Sequence, residues 1–205
     1  MEIFKDMKVD GVIEGGQTMN PSTESFLEAI DKINAKSIII LPNNSNIFLA
    51  AQQAAHMSKK DVHVLNTKTV PEGIAAMYSF NTDLNVKNNL EEMAIAVENT
   101  STGQITYSIK DSTYKGKEIK KGDILCILNG EIVHVKNNAQ DGALAIIEMM
   151  TEDNTPEFMN IYYGEDVNEE EANQLKDHIE DLNGDIEVEV KDGGQSLYYY
   201  LISAE

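Results

Sequence analysis

The sequence predicts an α/β protein in two lobes. Residues 1–85 form a parallel βαβ sheet lobe, and residues 86–205 form a mixed α+β lobe with antiparallel strands. Three observations carry this. A unit of strand, polar loop and helix occurs three times, with loops opening near residues 15, 42 and 66. Ser37–Leu41 is an uninterrupted Ser-Ile-Ile-Ile-Leu run, the pattern of a strand buried on both faces of a parallel sheet. Asn129-Gly130 separates two apolar runs and suits the tight turn that matches strand twist.

Met1–Asp10 is a short polar lead-in, and Gly11–Glu14 is the first expected strand. Asn20 then caps a helix with Pro21 in its first position, and Glu24 complements the helix dipole. That helix runs to about Asn34, with Phe26, Leu27, Ile30 and Ile33 on one face. After Ser37–Leu41 comes the polar loop Pro42-Asn43-Asn44-Ser45-Asn46 and an alanine-rich helix to about Met57. Val62–Leu65 is the third strand, followed by Asn66-Thr67-Lys68 and a helix opened by a Thr69/Glu72 capping box. Right-handed crossovers put all three loops at the carboxyl ends of the strands, the edge where open α/β sheets hold ligands.

Asn81–Asn89 is a polar connection, and Leu90–Val97 is helical. Ile105–Ile109 alternates like a strand, and Asp111–Lys121 is a charged loop. The hairpin Ile124–Leu128 and Ile132–Val135 precedes a helix at about Asp141–Met150. The chain closes with strand Phe158–Tyr163, helix Asn168–Leu182, and strands Ile186–Val190 and Leu197–Ser203. Asn168 and Glu171 form a capping box, and Asn183-Gly184 ends the helix. Gly-Gly-Gln occurs at residues 15–17 and 193–195; the second copy joins two strands as a turn.

The formal net charge is −19, and all 16 basic residues other than histidine are lysine. The missing arginine removes bidentate capture of phosphate and an arginine finger. An acidic surface repels nucleic acid and anionic lipid, so neither is expected as a partner. No apolar run approaches the length of a membrane span, and the single Cys126 lies in an apolar run, so the expectation is a cytoplasmic chain without membrane insertion. There is no phosphate loop, G-x-G-x-x-G, H-E-x-x-H or G-x-S-x-G, and the four histidines are scattered. No catalytic pair or metal cluster stands out, which favours a binding or interaction module. Gln17, Thr18, Asn20, Ser22 and Thr23 gather around a helix N-terminus that either offers N–H groups to an anion or is simply a well-capped turn.

Several phrases carry a further resemblance: Val12–Thr23, Ile40–Ser45, Asn66–Gly73, Tyr162–Val167 and Gly193–Ser203. On them the chain resembles the C-terminal region of the catalytic subunit of bacterial fatty acid kinases, the Dak2-domain (dihydroxyacetone-kinase-like) proteins. That region is similar in turn to the DegV-like fatty-acid-binding carriers, which hold a carboxylate on three loops. The resemblance implies a ligand-like role for Gln17, Thr18, Asn20, Ser22, Thr23, Asn43, Asn44, Ser45, Thr67, Lys68 and Gln195, with no catalytic and no metal residues. Asn43–Asn46 stands where the carriers have a Ser-Gly loop, and Asn66-Thr67-Lys68 where they have Asp-Ser-Lys. The carriers' arginine has no counterpart. The resemblance further implies a non-catalytic module that docks the fatty-acid-binding carrier. ATP and Mg are expected only in an N-terminal domain outside this chain. A homodimer, and a lipid or small-anion pocket between the lobes, are the open alternatives.

Overall fold

The computed structural model describes residues 2–15, 20–152 and 155–205. The chain divides into two compact units, Met1–Asn99 and Thr100–Glu205. The division therefore falls after residue 99 and not at 85/86. Its cause is the helix at Val86–Asn99, whose Leu90, Met93, Ala94 and Val97 pack on Leu65 and Ala76 of the first unit.

The first unit runs α1 (Glu2–Asp6), α2 (Thr23–Lys32), β1 (Ser37–Ile40), α3 (Phe48–Met57), β2 (Asp61–Val64), α4 (Val70–Ser79) and α5 (Val86–Asn99). β1 and β2 are parallel, with Ile38 opposite Val62 and Ile40 opposite Val64. Ile38, Ile40, Val62 and Val64 pack with Phe26, Ile30, Ala51 and Ala54 of α2 and α3. Ile39, Leu41 and Leu65 instead join the cluster beneath α4 and α5. Both faces of the sheet are thus covered, which explains the unbroken β-branched run.

The expected strand Gly11–Glu14 does not form, so the described sheet of this unit has two strands rather than three. Ile13 packs into the α2/α3 cluster, and Gly11 lies against Ile33, where an added Cβ would sit 3.3 Å from Ile33 Cδ1. Two adjacent apolar residues between glycines and carboxylates cannot supply two buried faces. The cap of α2 also differs from expectation: Ser22, not Asn20, accepts a hydrogen bond from the Ser25 N–H at 3.2 Å. At α4, Thr69 caps the Glu72 N–H, but the Glu72 carboxylate takes the Lys68 N–H at 2.6 Å, so the reciprocal half of the box has shifted by one residue.

The second unit contains β3 (Ser101–Tyr107), β4 (Ser112–Tyr114), β5 (Lys117–Ile119), β6 (Ile124–Leu128), β7 (Glu131–Lys136), α6 (Ala139–Glu152), β8 (Phe158–Tyr163), α7 (Glu169–Leu182), β9 (Glu187–Asp192) and β10 (Tyr198–Ala204). Its main sheet has the order β7-β6-β3-β10-β8-β9, with only β8 and β9 parallel. Ile105, Cys126, Ile161 and Ile202 pack with Ile146 and Ile147 of α6 and with Leu175 and Ile179 of α7. Asn129 and Gly130 take φ of 49° and 86°, the expected turn. The Asn168/Glu171 capping box forms at α7.

Two expectations are corrected here. Residues 111–121 contain a hairpin, β4 and β5, turning at Lys115 and Gly116 with φ of 48° and 81°. Ser112-Thr113-Tyr114 supplies the strand preference, and Lys-Gly is a weaker turn signal than Asn-Gly. The Gly193–Gln195 segment is not a turn between neighbouring strands. β9 and β10 flank β8, so the segment crosses the end of β8.

Candidate ligand edge of the first unit

Because β1 and β2 run parallel in matched register, the loops that follow them emerge on one edge. There Thr67, fully buried, accepts a hydrogen bond from the Asn43 N–H through its Oγ1 at 3.0 Å. Asn43 holds the left-handed conformation, φ 56°, which asparagine tolerates better than most residues. Its carboxamide lies over Gly73 in the first turns of α4: a Cβ on Gly73 would sit 2.1 Å from Asn43 Oδ1. The absence of a side chain at 73 is what lets loop and helix meet. Asn43 Oδ1 is buried and finds no hydrogen-bond partner among the described residues.

The neighbouring groups serve the local backbone. Asn44 Oδ1 accepts from the Asn46 N–H at 2.9 Å, folding the loop into α3. Ile47, the cap residue of α3, offers no side-chain oxygen to the free N–H groups of the first turn. Ser45 and Lys68 are exposed at the rim. Thr23 Oγ1 donates to Gln53 Oε1 at 3.1 Å, tying α2 to α3. Ser22 is the helix cap, and Asn20 is exposed. Gln17 and Thr18 lie outside the described residues. Of the expected set, then, the structure unites Asn43 and Thr67, with Lys68 at the neighbouring α4 terminus.

Gln195 belongs to the second unit, and its amide is engaged there. Its Oε1 accepts from the Leu197 and Tyr198 N–H groups at 3.0 and 2.7 Å, and its Nε2 donates to the Tyr198 carbonyl. The Gln195 carbonyl takes the Glu165 N–H at 3.0 Å. This glutamine braces the crossing over β8.

A polar group that the sequence reading passed over lies at the opposite, amino end of β1 and β2. Ser37 Oγ donates to Asp61 Oδ2 at 2.9 Å, and His63 Nε2 makes an ionic contact with Asp61 Oδ1 at 3.0 Å. The Ser37 hydrogen bond, then the His63 contact, holds the Asp61 carboxyl below its usual range. The trio resembles a hydrolase triad only in composition: the serine donates to the carboxylate and not to the imidazole, so nothing activates its hydroxyl. The same-strand spacing of residues 61 and 63 was the available signal.

Burial pushes the Cys126 thiol up to about 11, which leaves it protonated and a poor nucleophile. Among the described residues no three of histidine, cysteine, aspartate or glutamate are placed to hold a metal ion. No described helix is long and apolar enough to cross a membrane. What the edge offers is hydroxyl, carboxamide and N–H groups beside one lysine. That set can hydrogen-bond a carboxylate or phosphate, and it supplies no base for proton transfer.

Comparison with known proteins places this geometry. The FakA-like C-terminal family, the C-terminal part of fatty acid kinase A-like subunits, matches residues 1–205. Protein YloV of Bacillus subtilis is 44% identical over 205 residues, all of this chain and 37% of that protein. A Staphylococcus aureus protein (strain USA300) is 37% identical over the same span, again 37% of its length. The chain thus spans little more than a third of these curated relatives. Among solved structures, a DegV family protein of Corynebacterium glutamicum has a TM-score of 0.68 at 14% identity, covering 99% of this chain and 92% of its own. The Streptococcus pneumoniae fatty acid kinase B3 protein, loaded with linoleic acid, scores 0.66 at 14% identity over 90% of this chain and 76% of its own. The dihydroxyacetone kinase of C. freundii scores 0.60 at 14% identity, over 90% of this chain and 41% of its own. The fold is DegV-like, and the chain belongs to the FakA-like C-terminal family of fatty acid kinases.

Proposed function

We propose that this chain is a non-catalytic module of a fatty acid kinase that docks the DegV-like fatty-acid-binding carrier, so that bound fatty acid can be phosphorylated elsewhere in the assembly. The observation that carries the reading is the family match over all 205 residues. In this reading ATP and Mg belong to the portion of the longer relatives that lies outside these residues. The net charge of −19 adds a physical means of recognition. An acidic surface steers a partner with a basic docking face and makes association sensitive to salt. Pull-down of the carrier by the purified chain, with and without fatty acid, tests it. Retention of the carrier is expected; a folded chain that retains none overturns the reading.

A second reading rests on a separate observation, the likeness to a fold that holds linoleic acid in the pneumococcal protein. In it, the Asn43–Thr67 edge binds a lipid or small anion directly. Displacement of a fluorescent fatty acid supports it. No displacement up to about 1 mM, where binding energy falls to about 4 kcal/mol, rejects it.

A further inference from the structure

In a chain this acidic, one segment is basic. Residues 108–123 hold five of the 16 lysines against three carboxylates. They carry β4 and β5, which form a two-stranded arm separate from the main sheet. The arm's aspartates are turned inward onto its own backbone: Asp111 Oδ1 accepts from the Lys121 N–H and Asp123 Oδ2 from the Lys120 N–H, both at 2.8 Å. Lys110, Lys117, Lys120 and Lys121 are exposed and form no ion pair among the described residues. Tyr114 and Lys115 pin the arm to Glu131, the first residue of β7. The positive charge therefore sits by one edge strand of the six-stranded sheet.

The other edge is the reverse. Residues 165–192, which carry α7 and β9, hold twelve carboxylates and two lysines. Both lysines are already beside carboxylates, Lys176 near Glu180 at 3.5 Å and Lys191 near Glu189 at 2.5 Å. Five strand spacings separate β7 from β9, about 24 Å at roughly 4.8 Å each, so arm and acidic edge of one molecule are too far apart to pair. Each end also exposes one large apolar side chain, Ile109 at 65% and Leu182 at 53%.

We propose that the β4–β5 arm docks on the acidic α7–β9 edge of a second copy of this chain. A unit positive at one edge and negative at the other is complementary to itself when two copies lie antiparallel. Each arm then meets the other copy's α7–β9 edge, giving a closed two-fold dimer with two equivalent contacts. Net repulsion between the copies is screened beyond about 8 Å at physiological salt, whereas contacting pairs are screened less.

The test is the mass of the 205-residue chain by sedimentation equilibrium across salt. A dimer is expected at low salt, with its dissociation constant rising at least about ten-fold between 50 and 500 mM. The variant K117E/K120E/K121E should be monomeric with an unchanged circular dichroism spectrum. The variant E170K/D177K/D181K should be monomeric too, and mixing the two variants should restore a heterodimer. A monomer at every salt and concentration overturns the proposal, as does a dimer indifferent to arm reversal. A monomeric chain whose arm variant loses only the fatty-acid carrier also overturns it and assigns the arm to that partner.

Discussion

Replacing Gly164 by alanine tests the crossing over β8 at its tightest point. The residue follows the last one of β8, and a Cβ there would lie 2.0 Å from the Tyr198 carbonyl oxygen and 2.8 Å from that of Gln195. Both are backbone atoms, so no rotamer change relieves the contact. Reaching ordinary van der Waals separation requires a shift of more than about 1 Å. That shift breaks the bonds that set the loop, Gly164 N–H to Tyr199 O at 2.9 Å and Glu165 N–H to Gln195 O at 3.0 Å. Overpacking costs about 1–3 kcal/mol. Each lost hydrogen bond adds about 1 kcal/mol, and reduced freedom of the unfolded chain returns at most about 1. The expected loss is about 2–4 kcal/mol in the second unit, or roughly 10 °C in melting temperature by circular dichroism. Gly184→Ala is the control. Its nearest neighbour would be Glu180 O at 3.8 Å, and its φ is not positive, so stability should hold or rise by up to about 1 kcal/mol. A Gly164→Ala protein that melts within about 2 °C of the parent would refute the packing argument.

Lys60→Met should cost the first unit about 1–2 kcal/mol in urea unfolding, because the Lys60 ammonium donates to the Ile30 and Ile33 carbonyls at 2.7 and 2.5 Å and so closes the C-terminus of α2. Thr67→Val strands the Asn43 N–H beside a buried methyl and should cost about 1–3 kcal/mol, with Thr67→Ser recovering most of it. Stability should also fall as pH rises above about 9. The Cys126 thiol, raised to about 11 in the fold, stays protonated while the unfolded thiol ionises, so its contribution is complete below 9 and lost toward 11. Tyr200, raised by burial to about 12, adds the same trend above 10. Cys126→Ala should lessen the alkaline decline between 9 and 11, and an unchanged decline would contradict the assignment.

What the sequence made legible was what short-range physics decides. Asn129-Gly130 needed two left-handed residues and has them, and the Asn168/Glu171 box satisfies its own helix end. Ile38 to Leu41 signalled a sheet covered on both faces. Gly11–Glu14 misled because a strand exists only through a neighbour, and the period of two apolar residues cannot reveal whether one is present. Asn20 lost the cap to Ser22 because either side chain can serve and packing of Phe26 and Ile30 chose the start. At the candidate edge, residue type indicated Asn43 and Thr67, but Gly73 gave no sign that it seats the Asn43 amide. Gln195 was legible as polar and not as a brace, because its partners are backbone groups of its own loop.

The central claim is docking of the fatty-acid carrier, and isothermal titration of the folded chain with the loaded carrier addresses it most directly. The account predicts saturable 1:1 heat per chain at about 20 mM salt that weakens markedly by about 300 mM, as steering by an acidic surface requires. No heat at either salt, with both proteins folded, would contradict it.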